Sequence, residues 1–393
     1  MRVGFDARCL QTASSGGGVG RYARGLLAHL PAALGDDGEE LIVYISARRA
    51  EPRMPPAARI VRLWRPARAI TFWDQIFWPL RMRRDRLALF HSPFYGIPVR
   101  RPRGIAVVAT VHDIIPELFP ESVTRKQRFV FRRHFRQALA ANRIIVPSER
   151  TRGDLVARFA ADPRRIEVIP LGLDPDLHRP DRGDVTDLRG RLTAGRPYIL
   201  HVGGFDRMKD LPSLLAAFGR IAAGRPGLAL VVCGDARGPA AREFAESVRR
   251  AGLVGRVVLP GRIVDAQLPA VYAAAEAFVF PSRYEGFGLP PLEAMACGCP
   301  VVASSGGSLG EVLGEAAHLV SAMDTTALAA AIERVLDDEV LRRRLVAAGR
   351  ERVKELRWEE AARRTAAVYA DAGREAREGQ GAGHGGGAGD RGE

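Results

Sequence analysis

Short apolar runs alternating with stretches of helical spacing recur along two long parts of this chain. In the first part they fall at 2–6, 41–45, 60–64, 87–90, 105–111, 143–146 and 166–169. In the second they fall at 198–202, 228–233, 256–259, 277–280, 301–303 and 318–320. A strand covered by helices on both faces reads as one continuous apolar run, and strands alternating with helices form parallel sheets through crossover connections. The chain is therefore restricted to the α/β class. Between the two series, residues 171–197 turn polar and proline-bearing with no long apolar period, which reads as an interdomain linker. The expected organisation is a domain at 1–170, the linker at 171–197 and a second domain at 198–355. At 393 residues, 47% of them hydrophobic, the chain is long enough for two separate cores.

Ligands of open α/β sheets bind beyond the carboxyl ends of the strands, so the residues that follow each apolar run carry the functional information. After 2–6 comes the glycine-rich run Ser14 to Gly20 and a helix expected from about residue 19 to 30. Strand, glycine loop and helix N-terminus make a phosphate cradle, with Gly17 and Gly18 as its candidate amides. Gly18, Gly20 and Ala23 also match a dinucleotide fingerprint. That assignment is rejected because the loop is too long for the tight turn and the strand at 41–45 ends without the acidic residue that holds a ribose. After 87–90 comes His91, and after 105–111 comes His112 followed by Asp113. A single histidine at the end of an apolar strand is more commonly a packed residue than a ligand contact, and His112 alone carries no assignment. After 198–202 come Gly203, Gly204, Phe205, Asp206, Arg207, Met208 and Lys209, a loop whose backbone N–H groups and cations suit a diphosphate. Gly261 and Arg262 follow a further strand, and Pro281 and Ser282 another.

The stretch from Glu285 to Glu293 reads EGFGLPPLE. Pro290 and Pro291 fit the first turn of a helix, where missing N–H groups cost little, so the helix is expected to begin near Leu289. Gly286, Phe287 and Gly288 form a turn that presents bare amides at the positive end of that helix. The spacing lets one carboxylate take a pair of ribose hydroxyls while the other faces a hexose, a geometry that suits a nucleotide sugar, although two glutamates alone are more commonly an exposed pair beside a tight turn.

This string resembles the E-x7-E motif of the retaining glycosyltransferases of family four, enzymes of the GT-B fold. The string TVHDIIPELFPE resembles the first-domain loop of their mannosyltransferase-like members. Residues 198–209 resemble their strand, loop and lysine, and Ser15 with Gly18 to Tyr22 resembles their S-G-x-G-R-Y loop. The resemblance covers roughly residues 1–372. It implies two Rossmann-like doubly wound domains facing each other across a cleft, with a helix at 356–372 crossing back to the first domain. It further implies transfer of a hexose from a nucleotide-diphosphate sugar to a hydroxyl of a glycan or lipid-linked acceptor, with retention, without a metal and without a cofactor. GDP-mannose is the first expected donor and a UDP-sugar the second, and cell-envelope polysaccharide or glycolipid synthesis is the expected setting. Glu285, His112 and Lys209 take the catalytic roles. Gly17, Gly18, Gly203, Gly204, Arg207, Lys209, Arg262, Gly286, Phe287, Gly288, Leu289 and Glu293 bind the donor. The pattern usually carries arginine where this chain has Gly204, and often arginine where it has Met208, so Arg207 is expected to stand in.

Net charge is +14, and residues 1–170 hold 30 basic and 15 acidic side chains, so the excess lies in the first domain. Residues 71–84 and 123–141 combine aromatics with arginine clusters, which suits peripheral contact with an anionic membrane. Nucleic acid is not expected, since no base-reading module accompanies the charge. No leader-like start and no apolar run of membrane-spanning length is present, which points to a cytoplasmic protein. The four cysteines are too irregularly spaced for a disulfide framework or zinc site and read as small buried residues. Residues 373–393 are glycine-rich and expected to be disordered. Two other readings stand beside transfer: a nucleotide-sugar 2-epimerase on the same fold, and a basic surface-binding protein without catalysis.

Overall fold

The apolar runs form parallel strands, and helices fill most of the stretches between them. The computed structural model describes residues 1–12, 17–35, 39–50, 52, 54–64, 70–94, 96–98, 100–174, 177 and 182–381. The chain divides into two units, Met1–Gly172 with Trp358–Glu393, and Leu173–Arg357.

The first unit runs β1 (Arg2–Asp6), α1 (Gly18–Leu34), β2 (Glu40–Ser46), β3 (Arg59–Leu63), α2 (Ile70–Arg84), β4 (Leu89–Ser92), β5 (Ala106–Thr110), α3 (Ile115–Leu118), α4 (Arg125–Leu139), β6 (Arg143–Val146), α5 (Glu149–Phe159) and β7 (Ile166–Val168). Its sheet has the order β3-β2-β1-β4-β5-β6-β7, and every pairing is parallel. The apolar faces of α2, α4 and α5 pack on this sheet around Tyr44, Trp78, Phe90 and Phe135, all fully buried. Trp78 thus belongs to the core, whereas Ile76 and Leu80 of the same helix are exposed. Helix α4 begins with a reciprocal capping box between Thr124 and Gln127, which satisfies two amides of its first turn.

The second unit runs α6 (Arg182–Thr193), β8 (Tyr198–Val202), α7 (Leu211–Gly224), β9 (Ala229–Cys233), α8 (Pro239–Arg250), β10 (Val257–Gly261), α9 (Leu268–Ala273), β11 (Ala277–Phe280), α10 (Leu289–Ala296), β12 (Val301–Ser304), α11 (Leu309–Leu313), β13 (Ala317–Val320), α12 (Thr325–Asp337) and α13 (Glu339–Lys354). The sheet order is β10-β9-β8-β11-β12-β13. Phe218, Leu230, Val232, Val279 and Ile332 lie in its core. Cys233, Cys297 and Cys299 are buried free thiols, and burial pushes those of Cys233 and Cys297 up to about 12.

Two expectations need correction. The stretch 171–197 is not wholly irregular. Leu173 bridges to Arg357, and α6 buries Leu188 and Thr193 while its Arg189 reaches Glu276 at 2.9 Å, so this segment is packed into the second unit. Its few apolar side chains give too weak a period to read in the sequence. The final helix, α14 (Trp358–Gly381), also continues past 372, and Glu375 pairs with Arg143. The expectation for residues 382–393 lies outside the described residues. Helix α14 lies in the first unit, packed on α1 and β5.

Candidate functional site

In the second unit the strand order reverses between β8 and β11, the position where open α/β sheets bind ligands. The loops following these two strands carry the lysine and the glutamate singled out above, and the fold brings them together. Lys209 Nζ lies 2.6 Å from Glu285 Oε1, with the two side chains 21% and 13% exposed. The ammonium also sits 5.6 Å from the Phe280 ring centroid, a cation–π contact.

Both loops are held locally. Asp206 accepts from the Met208 amide at 3.0 Å and starts a single turn over Arg207–Lys209. Asp210 then takes the left-handed conformation at φ +47 and precedes α7. Its buried carboxylate accepts from Ser213 Oγ at 2.8 Å and from Arg283 Nη2 at 3.2 Å. The Arg283 amide in turn donates to the Met208 carbonyl at 2.7 Å, so the two loops are joined through backbone and side chain. Met208 is buried, which leaves Arg207 exposed on the turn.

Glu285 is fixed from the loop after β12. The Ser308 amide and hydroxyl both donate to the Glu285 carbonyl, at 2.9 and 3.0 Å. Gly307, at φ +65, lies so close that a Cβ there would stand 2.3 Å from the same oxygen. Gly288 closes the EGFG turn at φ +97, and α10 starts at Leu289 with proline in its first turn. Glu293 is 3% exposed and accepts from the Tyr272 hydroxyl at 2.8 Å, so one of its oxygens is committed to the protein. His201, at the end of β8, is fully buried. Its Nδ1–H donates to the Val279 carbonyl at 3.0 Å, Nε2 has no partner among the described residues, and burial pushes its pKa down to about 4. Gly203 lies against its Nε2 edge, where a Cβ would stand 2.8 Å from that nitrogen. Arg262 is exposed near Asp235, whose carboxyl is held down to about 2, chiefly by its hydrogen bonds from Arg237.

In the first unit Gly17 caps α1 in an extended conformation, and Gly17 and Gly18 are both exposed. Residues 13–16 of the glycine run lie outside the described residues. His112 follows β5 and is 9% exposed. Its Nε2–H donates to the Pro93 carbonyl at 3.0 Å, and burial pushes its pKa down to about 4, so the ring is neutral at physiological pH. Asp113 accepts from the Ile115 amide at 3.0 Å and thereby shapes the loop. His91 does not reach a ligand-facing surface. It is fully buried, and both ring nitrogens are engaged within the protein. Helix α4 carries Arg125, Lys126, Arg128, Arg132, Arg133 and Arg136 with no acidic residue, and Phe129 on it is 71% exposed. Among the described residues no group of three or more His, Cys, Asp or Glu side chains is placed to hold a metal ion, and no helix is long and apolar enough to cross a membrane.

Residues 187–352 match the family of group 1 glycosyl transferases, and residues 16–177 match glycosyltransferase family 4. Over 319 residues the chain is 30% identical to O-antigen chain mannosyltransferase B of Escherichia coli, covering 81% of each protein. The chain belongs to the family 4 glycosyltransferases. It is also 34% identical over 282 residues to the MMP alpha-(1->4)-mannosyltransferase of Mycolicibacterium hassiacum, covering 68% of this chain and 65% of that enzyme. Sucrose-phosphate synthase of Thermosynechococcus elongatus superposes with a TM-score of 0.76 at 26% identity, over 97% of this chain and all of that one. The two doubly wound units of this glycosyltransferase are accordingly the two Rossmann-like domains of the GT-B fold.

Sequence reasoning passed over Asp210, Arg283, Tyr272, His201, Gly307 and Ser308. The last two had a readable signal, since Gly306, Gly307 and Ser308 follow an apolar strand in the same way as the loops it did select. Arg283 had the same signal, standing directly after the strand at 277–280, whereas Tyr272 had none, because it matters only through a partner distant in the chain.

Proposed function

We propose that this glycosyltransferase moves a hexose, mannose first, from a nucleotide-diphosphate sugar to a hydroxyl of a glycan or lipid-linked acceptor, with retention at the anomeric carbon. GDP-mannose is the first donor and a UDP-sugar the second. The observation that carries the reading is the Lys209–Glu285 pair joining the two loops at the switch point of the second unit. The mannosyltransferases to which the chain is similar support the choice of sugar.

As the glycosidic bond breaks, negative charge collects on the leaving diphosphate and positive charge on the anomeric carbon. In this reading Lys209 Nζ and the backbone N–H groups of the turn before α10 stabilise the first, and the Glu285 carboxylate the second, through groups oriented before reaction. In this scheme the diphosphate takes the lysine as its counter-charge and frees Glu285 to hold the hexose hydroxyls. Glu293, with one oxygen anchored by Tyr272, orients the other towards the ribose. His112 contacts the sugar, and Gly17 and Gly18 serve as phosphate-facing amides. The acceptor hydroxyl attacks on the face the diphosphate leaves, and a phosphate oxygen takes its proton. The basic α4 with exposed Phe129 supports peripheral docking on an anionic membrane, where a lipid-linked acceptor would reside.

The test is a thermal-shift panel of nucleotide sugars followed by turnover with the stabilising donor, because a donor that binds the folded state must raise its apparent stability. GDP-mannose is expected to give the largest shift and an α-linked product. No shift with any nucleotide sugar refutes the reading. Epimerised donor formed without an acceptor would replace it with isomerisation.

A further inference from the structure

Four polar side chains line up through the interior of the first unit. Tyr369 on α14 meets His91 Nδ1 at 2.5 Å, His91 Nε2 meets Thr110 Oγ1 at 2.8 Å, and Thr110 Oγ1 meets the Tyr22 hydroxyl of α1 at 2.9 Å. All four are buried. Each stands in apolar surroundings, where a polar group is tolerated only if its hydrogen bonds are made. His91 and Thr110 are buried polar residues towards the carboxyl ends of two mainly apolar strands, and burial pushes His91 down to about 3, which keeps it neutral with one ring proton. That single proton makes the chain of bonds directional: one nitrogen of His91 donates and the other accepts.

The position of this chain matters more than its existence. Two residues beyond His91 is Pro93, and two residues beyond Thr110 is His112. The Pro93 carbonyl accepts from His112 Nε2–H at 3.0 Å. The two neighbouring chain segments are therefore tied by two side-chain rungs, the inner one His91–Thr110 and the outer one Pro93–His112. Thr110 also holds Tyr22, whose ring packs edge-on to His112 with centroids 4.9 Å apart. Tyr22 lies about one helical turn from Gly18, at the start of α1. One buried hydroxyl thus joins the loop bearing His112 to the helix whose first amides are exposed.

We propose that Thr110 is a positioning residue for the transfer reaction: through His91 and Tyr22 its hydroxyl holds in place the Pro93–His112 hydrogen bond, which fixes the orientation and tautomer of His112, and the α1 N-terminus. This rests on the roles assigned to His112, Gly17 and Gly18 above. Because the Pro93 carbonyl can only accept, the outer rung places the proton on His112 Nε2 and leaves Nδ1 as an acceptor. His112 therefore receives a hydrogen bond from a sugar hydroxyl rather than giving one.

The test compares Thr110→Val, which keeps shape and loses the hydroxyl, with Thr110→Ser, which restores it. The protein is labelled with ¹⁵N-histidine, and the ring-nitrogen shifts of His112 are read alongside donor KM and kcat. Wild type and Thr110→Ser are expected to show one Nε2–H tautomer and turnover within about threefold of each other. Thr110→Val is expected to show mixed tautomers and a lower kcat, by up to about a hundredfold for a contact misplaced by about 1 Å. A single Nε2–H tautomer in Thr110→Val, or an unchanged kcat, overturns the proposal. Tyr22→Phe cuts only the link to α1. It is expected to raise donor KM several-fold while leaving the His112 tautomer intact, and it carries the test alone if Thr110→Val does not fold. An unchanged KM there overturns it. His112→Ala separates the two levels. Full activity in that variant refutes the role given to His112, whereas a mixed tautomer in Thr110→Val would still confirm the positioning geometry.

Discussion

Replacing Lys209 by methionine keeps the length and apolar stem of the side chain and removes the charge that joins the two switch-point loops. At an effective dielectric constant near 20, unit charges about 4 Å apart attract by roughly 4 kcal/mol. Both partners are partly solvated, so much of this is offset by water, and the loss to the free protein is expected at about 1 kcal/mol. For a unit of this size that lowers Tm by about 2–4 °C. The reaction should respond more strongly. A charge-assisted hydrogen bond to the diphosphate is worth about 1.5–3 kcal/mol, or roughly 10- to 150-fold. In the free enzyme the ammonium is already occupied by Glu285, so donor binding exchanges one partner for another and KM should change little. Charge on the diphosphate grows towards the transition state, so the loss should appear in kcat. Steady-state release of nucleoside diphosphate, measured for Lys209→Met, Glu285→Gln and the double variant, checks this. The double variant should be less impaired than the product of the single effects, because each single change disables the same unit. A kcat for Lys209→Met within twofold of wild type, in a folded protein, refutes the argument.

Gly307→Ala forces a Cβ to within 2.3 Å of the Glu285 carbonyl at a positive φ. It is expected to cost about 1–3 kcal/mol in denaturant unfolding and to lower kcat as Glu285 shifts, and wild-type values for both would contradict the buttressing role. Tyr272→Phe removes the donor to buried Glu293 and should cost about 1.5–3 kcal/mol while raising donor KM, with an unchanged KM counting against Glu293 as a ribose contact. The pH dependence follows from His91 and His112, held at about 3 and 4 by burial, against an unfolded value near 6.5. Below pH 6.5 the unfolded chain takes up protons that the folded first unit refuses. Stability is therefore full above that pH and declines towards pH 4, by up to about 1.4 kcal/mol per pH unit for each histidine. Urea unfolding between pH 6.5 and 5 should show a slope shallower by about one proton in His91→Gln, and identical slopes would refute the assignment.

The architecture was legible because both sheets are buried on two faces, so the thirteen strands among the described residues announce themselves as apolar runs against polar connections. The loops after β8 and β11 were legible for a related reason, since glycines and cations directly after a strand have few structural reasons to be there. What the sequence could not show is which polar groups the fold consumes. His91 and His112 stand in equivalent positions, each at the end of an apolar run, yet one is sealed between Tyr369 and Thr110 while the other is tied through Nε2 to the Pro93 carbonyl. Glu293 and Glu285 are likewise a matched pair in the motif, but only Glu293 has a hydroxyl donor in the core. In each case the deciding partner comes from far along the chain: α14 for His91, α9 for Glu293. The same limit explains α6 and the continuation of α14, whose stability rests on a few tertiary contacts rather than on a periodic apolar face. Where the pattern's arginine is absent at Gly204, Arg207 is exposed on the turn, whereas Arg283 reaches across from the other loop and is bound to Asp210. The guanidinium nearest to Lys209 along the chain is therefore not the one that braces its loop, and the bracing arginine lies next to the E-x7-E motif itself.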